Sequence, residues 1–320
     1  ETIFGIELRE KLVPIIKVAN ILKTKFDVVV TNPPYMGQGK MNSIIKNYLI
    51  KNYKNGKMDL CTAFMLINFI KKNGYLSMIN QQAWMSLESF EDLRKEVLSN
   101  NNISSMIHLG FGTFGADFGT TTFVLKKCEE NNGIYFSTRE VKSSDEKEML
   151  YLWKLSNSDN YLISKEKFSK IPGMIISYWL NEHQFSIFEK NQLFGIYGET
   201  KKGVLSGNDK RFLRLWYEVK NNKIGFNLKD HSDMVEKNLK WIPVTSGGNY
   251  RKWYGNFEAV INLENDGYDI KNNKENSCRL RESKYYFKEC VTWSEVSMKG
   301  FSVRYVPNGI LFGNSGPVCF

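Results

Sequence analysis

The segment that most constrains the fold is Phe26–Tyr35, with the sequence FDVVVTNPPY. Three consecutive β-branched residues, Val28 to Val30, favour a strand that is buried on both faces, as in a mostly parallel sheet. Pro33 and Pro34 must end that strand, because proline donates no ladder hydrogen bond and keeps the preceding residue out of the helical region. The sequence therefore predicts an extended corner at the carboxyl end of a strand, where open α/β sheets bind ligands.

Helical and strand patterns alternate along the first half of the chain. We predict helices over residues 7–23, 43–53 and from 86 or 88 to 98, and a further helix from Asp59 to Asn73-Gly74. Strands are predicted over residues 75–80, 103–109 and 120–127. The last two strands are too close together for a crossover helix, so we expect an antiparallel pair at the sheet edge. The predicted fold class is α/β with a doubly wound sheet.

Composition limits the classes of partner and compartment. The net charge of +10 and the pI near 9.1 favour an anionic partner, most simply nucleic acid. The alternative is a basic protein whose surface lysines are only solvated. The 5 cysteines contain no CxxC pair, which predicts a cytoplasmic protein without a zinc site or disulfides. The 3 histidines are far apart, and we expect no metal. The chain has no run of about 18 apolar residues, so we expect no membrane span.

The four residues Asn32, Pro33, Pro34 and Tyr35, placed after a hydrophobic strand, resemble the catalytic motif of methyltransferases that modify the exocyclic amine of adenine in DNA. The resemblance implies that the Asn32 side-chain oxygen and the Pro33 carbonyl each accept one amine hydrogen and stabilise charge in the transition state. The two prolines hold these acceptors in position. Tyr35 stacks on the target base after it is flipped out of the duplex. An ordinary strand-to-turn exit is the alternative interpretation.

The same family implies a second aromatic contact with the flipped base. An aromatic residue just before the final strand packs on the side of the base opposite the tyrosine, and Phe114 matches that position. Phe111 and Phe118 are the other candidates for this contact. The alternative interpretation is that Phe114 is an ordinary core aromatic residue. Gly110, Gly112 and Gly115 match GxGxxG, but a strand rather than a helix should follow, so we reject a dinucleotide site there.

The methyl donor of the family is S-adenosylmethionine. The resemblance places Asn32, Asp59 and Leu60 at the donor pocket. The glycine loop and the acidic residue that bind the donor upstream of NPPY in this family are not found in the chain. We therefore expect a fragment with an incomplete donor pocket, inactive by itself, whose catalytic strand is left at an unpaired sheet edge.

The second half of the chain has a different character. We predict the second half of the catalytic domain at 1–155, a linker at 156–172, and the start of a mixed α+β target-recognition domain at 173–320. Residues 201–217 resemble the opening of such a domain. TNPPYMG, together with KWIP at 240–243, YRKWY at 250–254 and TWS at 292–294, is similar to the large adenine methyltransferases of bacterial phage-exclusion (BREX) systems.

Cations interleaved with aromatic residues predict a DNA-binding surface in this second half, although a charged rim around a half-buried β-domain is the alternative. The predicted DNA-binding residues are Lys201, Lys202, Lys210, Arg211, Arg214, Arg251 and Lys252.

These observations together predict a site-specific DNA adenine methyltransferase of phage defence or restriction-modification. The expected partner is double-stranded DNA, with other defence-system subunits or a phage inhibitor as further partners. Two alternatives stay open. One is a non-catalytic fragment that binds DNA or a partner, and the other is a protein-glutamine methyltransferase, because some of those enzymes use NPPY although they lack a long basic segment.

Overall fold

The computed structural model describes residues 3–115, 118–128, 131–273, 278–297 and 299–320, without the side chains of residues 3–7 and 114. The chain forms two compact units, residues 1–191 and 192–320. The boundary after Asn191 lies later than the linker expected at 156–172. The reason is that this segment contributes a strand and a helix to the first unit, and that Phe168 and Ile171 are buried in its core.

The first unit is a mixed α/β structure in its described residues. Its helices are α1 (Ile3–Lys23), α2 (Ser43–Asn52), α3 (Leu60–Phe64), α4 (Glu91–Asn100), α5 (Ser144–Ser156), α6 (Lys165–Ser169) and α7 (Glu182–Lys190). Its strands are β1 (Phe26–Thr31), β2 (Ile70–Gln81), β3 (Asn102–Gly110), β4 (Thr120–Lys126), β5 (Asn132–Ser137) and β6 (Tyr161–Ser164). They form one sheet in the order β1-β2-β4-β3-β5-β6. The pairs β1–β2 and β3–β5 are parallel and the others are antiparallel.

Strand β1 lies at one end of this sheet. The expectation that it is buried on both faces is wrong, because Val28 is 58% exposed and Val30 is 73% exposed. These two side chains share one face, since side chains alternate along a strand. Val29 points to the other face and packs against the core. The strand is thus covered on one face only, and its position at the sheet edge agrees with the expected unpaired edge.

Strand β2 begins earlier than the sequence pattern predicts. The helix that starts after Asp59 ends at Phe64 rather than continuing to Gly74, and the chain enters β2 at Ile70. Phe26 pairs with Ile70 and Val28 pairs with Tyr75, so β2 contains a bulge. Asn73 has a positive φ of 63° within that bulge. The Asn-Gly pair therefore marks a strand irregularity and not a helix end.

The antiparallel pairing of β3 with β4 is confirmed, but the expected position at the sheet edge is wrong. β4 lies between β2 and β3, and β5 pairs with the other side of β3. After β4 the chain adds β5 and then β6 to the sheet beyond β3, so the β3–β4 pair lies inside the sheet. The helix α7 ends the first unit. Its N-cap is Asn181, whose side chain accepts a hydrogen bond from the Gln184 amide.

The second unit consists largely of short strands in its described part. Its helices are α8 (Asp209–Phe212), α9 (His231–Lys237) and α10 (Glu264–Lys271), and its strands are β7 (Thr200–Lys201), β8 (Leu213–Leu215), β9 (Trp241–Thr245), β10 (Ala259–Asn262), β11 (Cys290–Trp293), β12 (Val303–Val306), β13 (Leu311–Phe312) and β14 (Val318–Cys319). The strands form two four-stranded sheets, β13-β9-β10-β8 and β12-β11-β14-β7. Across both units, none of the described helices is both long and apolar enough to span a membrane.

Candidate active site at the end of β1

The proline corner follows β1 directly. Asn32 and Pro34 are exposed, whereas Pro33 is buried. Buried Pro33 anchors the corner, and the flanking Asn32 side chain stays accessible. Among the described residues, no backbone amide donates to the Pro33 carbonyl. The corner thus offers two oxygen acceptors, the Asn32 side chain and the Pro33 carbonyl, that the fold does not saturate.

Tyr35 is tied to both Asn32 and the sheet through its hydroxyl group. The phenol oxygen lies 3.1 Å from Asn32 Oδ1 and 3.0 Å from the carbonyl oxygen of Ile79 in β2. Burial raises the pKa of Tyr35 to about 12, and the nearby Cys61 thiol and Asp59 carboxylate add to the effect. The hydroxyl is therefore protonated at neutral pH and has one hydrogen to donate.

Asp59 fastens the corner to the rest of the unit. Its buried carboxylate caps α3 by accepting from the Cys61 amide at 3.0 Å. The same oxygen accepts from the Met36 amide at 3.1 Å, and the second oxygen accepts from Gln81 Nε2 at 2.9 Å. The Leu60 amide also donates to the Met36 carbonyl at 3.0 Å. One carboxylate thus joins the residue after Tyr35, the start of α3 and the end of β2.

The aromatic residue that the structure brings to Tyr35 is Phe118. The two ring centroids are 5.4 Å apart and the rings meet edge to face at 85°. Phe118 is 39% exposed, and Phe111 is 56% exposed. The side chain of Phe114 lies outside the described residues, so its role at the base stays a prediction. Phe118, one of the two other candidates, is the aromatic neighbour that the geometry supports.

A polar network behind this aromatic pair was missed by sequence reasoning. His108, near the end of β3, lies 2.8 Å from Gln82 Oε1 through Nε2 and 3.2 Å from the Tyr178 hydroxyl through Nδ1. Burial lowers the pKa of His108 to about 4, and the charges of Arg139 and Lys147 act in the same direction. The ring is therefore neutral at pH 7 and holds the Gln82 amide in place.

The position of Gln82 explains why glycine precedes β4. A Cβ atom at Gly119 would lie 2.1 Å from Gln82 Oε1, so any other residue there would displace the Gln82 amide. His108 and Gln82 thereby fix the backbone next to Phe118. The GxGxxG glycines lie in the same connection: Gly110, Gly112 and Gly115 all have positive φ, and β4 rather than a helix follows them.

Two of the three residues expected at the donor pocket are engaged in holding the corner. Three donors occupy the Asp59 carboxylate, and the Leu60 side chain packs against a small cluster of Met41, Leu49 and Ala63. Asn32 is the exposed member of the three. The described residues contain no group of three or more His, Cys, Asp or Glu side chains arranged to hold a metal ion.

Three of the seven predicted DNA-binding cations are engaged within the second unit. Lys201 pairs with Glu199 at 2.6 Å and with Glu282 at 3.5 Å. Lys202 pairs with Glu295. Arg214 Nη1 donates to two backbone carbonyls, those of Lys210 and Leu213, at 2.7 and 2.6 Å. These three side chains are less available to a phosphate than their positions in the sequence indicate.

The other four cations are more accessible. Arg251 lies 3.4 Å from Glu258, and both side chains are about half exposed. Lys210, Arg211 and Lys252 are exposed, and no carboxylate in the described part of the unit pairs with them. Of the seven predicted cations, Lys210, Arg211, Lys252 and, less freely, Arg251 are therefore the ones accessible to a phosphate.

The fold first identifies the general class of the chain. Across 91% of its length it is similar to the Type IIL restriction-modification enzyme MmeI, solved in complex with DNA, with a TM-score of 0.56, 11% identity and 40% of that chain covered. Residues 3–114 match the family model described as Eco57I restriction-modification methylase. The chain thus shares its fold with MmeI, and the part that matches the methylase family includes the NPPY segment.

Sequence relatives then narrow the class. The chain is 37% identical over 98% of its length to the adenine-specific methyltransferase BrxX of Escherichia coli O9:H4 (strain HS), and covers 26% of it. It is 36% identical over 96% of its length to the adenine-specific methyltransferase PglX of Lacticaseibacillus casei (strain Zhang), and covers 27% of it. The chain is a close homologue of these proteins, which confirms the resemblance in its sequence, and it spans about a quarter of their length.

Proposed function

We propose that the protein transfers a methyl group to the exocyclic amine of an adenine in DNA, in phage defence or restriction-modification. The observation that carries this proposal is the exposed Asn32 at the end of β1, tied to Tyr35. Two homologues named adenine-specific methyltransferases support the same reaction.

The chemistry of the corner follows from its two acceptors. The lone pair of the adenine amine is delocalised into the ring, so the amine is a poor nucleophile. Hydrogen bonds from its two hydrogens to Asn32 Oδ1 and the Pro33 carbonyl favour a pyramidal nitrogen with a localised lone pair. These bonds strengthen as positive charge develops on the nitrogen, so they stabilise the transition state more than the bound substrate.

The Tyr35 hydroxyl orients the first acceptor. A phenol has one hydrogen, and two oxygens lie within reach of it, one on Ile79 and one on Asn32. When the hydroxyl donates to Asn32 Oδ1, it fixes the orientation of that side chain. An amide oxygen has two lone pairs, so Oδ1 can still accept from the incoming amine. The ring of the same residue provides the face on which the flipped base stacks.

The methyl donor of this reaction is S-adenosylmethionine, which supplies an electrophilic methyl group when it is bound. Of the expected pocket residues, the exposed Asn32 fits such a role. Asp59 and Leu60 do not, because the carboxylate already accepts from three protein donors and the leucine is packed beside α2. We assign both to positioning the corner. That the donor pocket is incomplete within these 320 residues stays a prediction.

We propose further that residues 1–191 form part of the catalytic domain and that residues 192–320 bind the target DNA. The second unit carries 20 Lys and Arg against 14 Asp and Glu, a net charge of +6. Its accessible cations, Lys210, Arg211 and Lys252, favour contact with phosphates. Other defence-system subunits and a phage inhibitor stay predicted partners.

The test is transfer of a radiolabelled methyl group by the full-length protein, with duplex DNA or bacterial protein as the acceptor. We expect label in DNA adenine, and we expect Asn32→Ala to abolish it while the DNA dissociation constant changes less than about twofold, because the lost bond acts in the transition state. Asn52→Ala, an exposed asparagine at the end of α2, is the matched control.

Three results would contradict the proposal. Label in protein glutamine instead of DNA would favour the glutamine methyltransferase alternative. Full activity of Asn32→Ala would remove the corner from the mechanism. DNA binding by a full-length protein that labels neither acceptor would favour a non-catalytic DNA-binding role.

A further inference from the structure

The segment 250–254 of the second unit contains an exposed tryptophan in an unusual backbone conformation. Trp253 is 75% exposed and has a φ of +71°. This left-handed region is unfavourable for a large side chain. Residues other than glycine, asparagine and aspartate rarely adopt it. Because the indole is largely in solvent, its burial does not compensate for the conformational cost.

The strain is maintained by the neighbouring strand. The Trp253 amide donates to the Val303 carbonyl at 2.9 Å, and the Tyr305 amide donates to the Trp253 carbonyl at 2.9 Å. These two bonds pair Trp253 with Arg304 on β12, which is the first strand of its sheet. Trp253 is therefore a rigid backbone position at a sheet edge and not part of a loose loop. Strain that the surroundings enforce in this way is typical of functional positions.

The indole ring itself is not used within the unit. Tyr254, the next residue, packs its ring against Phe257 with the centroids 4.9 Å apart. No comparable ring contact involves Trp253 in the described part of the chain. Tyr254 thus makes a ring contact within the unit, whereas Trp253 is largely in solvent.

Two cations without a carboxylate partner in the described part of the chain lie next to Trp253, namely Lys252 in the chain and Arg304 across the pairing with β12. Lys252 is exposed without a carboxylate partner among the residues described. Beneath the segment, the Arg304 side chain is fully buried, and its bonds to Ser294 and to the Gly247 carbonyl are long, at 3.4 and 3.5 Å. Its Nε has no hydrogen-bond partner among the residues that the structure describes. Arginine stays charged when buried, so this guanidinium adds to the positive potential at the sheet edge.

We propose that Trp253 is a fixed stacking platform for a base of the bound DNA. In a duplex each base face is covered by its neighbour, so the ring stacks where a base step opens, as side chains that insert between base steps do. Such a contact depends little on sequence because every base has an aromatic face, and the nearby cations attract the phosphates. A rigid backbone lowers the entropy lost when the ring is immobilised on the base. This inference rests on the proposed DNA-binding function of the second unit and names the residue that makes the stacking contact.

The experiment measures binding of a fluorescently labelled duplex DNA of random sequence to the full-length protein at several NaCl concentrations. Trp253→Ala should weaken binding about tenfold at every concentration, as loss of one stacked base does. The slope of log Kd against log salt should be unchanged, because no phosphate contact is lost. Trp253→Phe, which keeps a ring, should recover most of the affinity. Lys252→Ala should instead reduce the slope by about one.

A second variant separates stacking from a structural role. Glycine adopts positive φ without strain, so Trp253→Gly should melt at or above the temperature of the unaltered protein while it binds DNA as weakly as Trp253→Ala. A side chain that served folding alone would lower the melting temperature instead.

The outcomes distinguish this inference from the proposed function. If the unaltered protein binds DNA and Trp253→Ala binds equally well, or binds more weakly with a changed salt slope, the stacking role is wrong and DNA binding stands. If the unaltered protein does not bind duplex DNA, the proposed function of the second unit fails, and the stacking role fails with it.

Discussion

Tyr35 and Trp253 are aromatic residues that the two units fix by opposite means. Tyr35 is held through its side chain, because its hydroxyl contacts Asn32 and the Ile79 carbonyl. Trp253 is held through its backbone, because both its amide and its carbonyl pair with β12. The comparison shows that an aromatic residue proposed to bind a base can be fixed by a polar side-chain atom or by main-chain pairing. Only the first leaves a recognisable pattern in the sequence.

The two means differ in what a substitution disturbs. At Tyr35 the hydroxyl and the ring have separate roles, so removing one atom should change catalysis. At Trp253 the backbone is fixed whatever the side chain, so the ring can be exchanged without moving the strand. Substitutions at the proposed catalytic corner and at the proposed DNA-binding surface therefore test this difference.

Among substitutions that leave Asn32 in place, the largest effect is expected at Asp59, which holds the residue after Tyr35. Asp59→Ala removes the acceptor of three hydrogen bonds and leaves the Met36 amide without its partner. A displacement of about 1 Å at a reacting group costs about 100-fold in rate, so methyl transfer should fall by at least that factor. Asp92→Ala, an exposed acid on α4 with a 74% exposed side chain, is the control and should be neutral.

Asp59→Asn distinguishes positioning from donor binding. The asparagine oxygen can still accept from the Met36 and Cys61 amides, and Gln81 can turn its amide to accept from the new NH2 group. We expect less than about a tenfold loss of rate, because the hydrogen-bond geometry is retained and only the charge is lost. If Asp59→Asn instead raises the KM for S-adenosylmethionine as much as Asp59→Ala does, with an unchanged melting temperature, the carboxylate contacts the donor and our assignment is wrong.

The next effect is expected at Tyr35. Tyr35→Phe keeps the ring and removes the hydroxyl, so kcat should fall about tenfold, equivalent to one hydrogen bond, with unchanged DNA affinity. Tyr35→Ala should be about tenfold worse again, because the stacking face is also lost. Equal activity of Tyr35→Phe and the unaltered protein would show that the hydroxyl does not orient Asn32. Tyr48→Phe, at a 57% exposed tyrosine, serves as the control.

The pH dependence of the same residue has a definite sign. Burial raises the pKa of Tyr35 from 10.0 to about 12, so the folded protein favours the neutral phenol. The resulting contribution to stability is present below pH 10 and is lost as the pH rises toward 12. Between pH 6 and 9 the rate profiles of the unaltered protein and Tyr35→Phe should therefore have the same shape. An inflection that is present only with tyrosine would contradict a neutral hydroxyl.

The sequence predicts the local elements of the site better than their surroundings. The strand before NPPY and the β3–β4 pair were predictable, because apolar runs bounded by Pro or Gly depend on nearby residues. The sequence does not reveal that β5 and β6 extend the sheet, since strand order depends on distant contacts. The predicted helix from Asp59 to Gly74 overlaps the start of β2, where Ile70 pairs with Phe26. The prediction failed there because a short apolar run fits a helix and a strand equally well.

Two kinds of functional information were missed for a physical reason. The Asp59–Gln81 and His108–Gln82 bonds join residues from different elements, and side-chain partners of this kind have no spacing rule. The positive φ of Trp253 is likewise imposed by β12. A tryptophan in a sequence does not indicate a positive φ, whereas a glycine or asparagine at the same position would have indicated a turn.

The smallest expected effect concerns the cations of the second unit, which differ in their internal partners. Lys201 and Lys252 were equivalent in the sequence, but Lys201 pairs with Glu199 and Glu282, and its hydrogen bond to Glu199 raises its pKa. Its charge is therefore directed to carboxylates of its own unit. Lys201→Ala should leave both the DNA affinity and its salt slope unchanged, in contrast to the change of about one expected for Lys252→Ala.

A further variant shows whether the carboxylates are the cause of this difference. Glu199→Gln removes the closest negative charge and should release Lys201 to bind phosphate, so that the slope becomes steeper by less than about one. Replacing both residues, Glu199→Gln with Lys201→Ala, should return the slope to its original value. If Lys201→Ala alone flattens the slope as much as Lys252→Ala does, then DNA displaces the internal pairs, and accessibility in the free protein does not determine which cations bind phosphate.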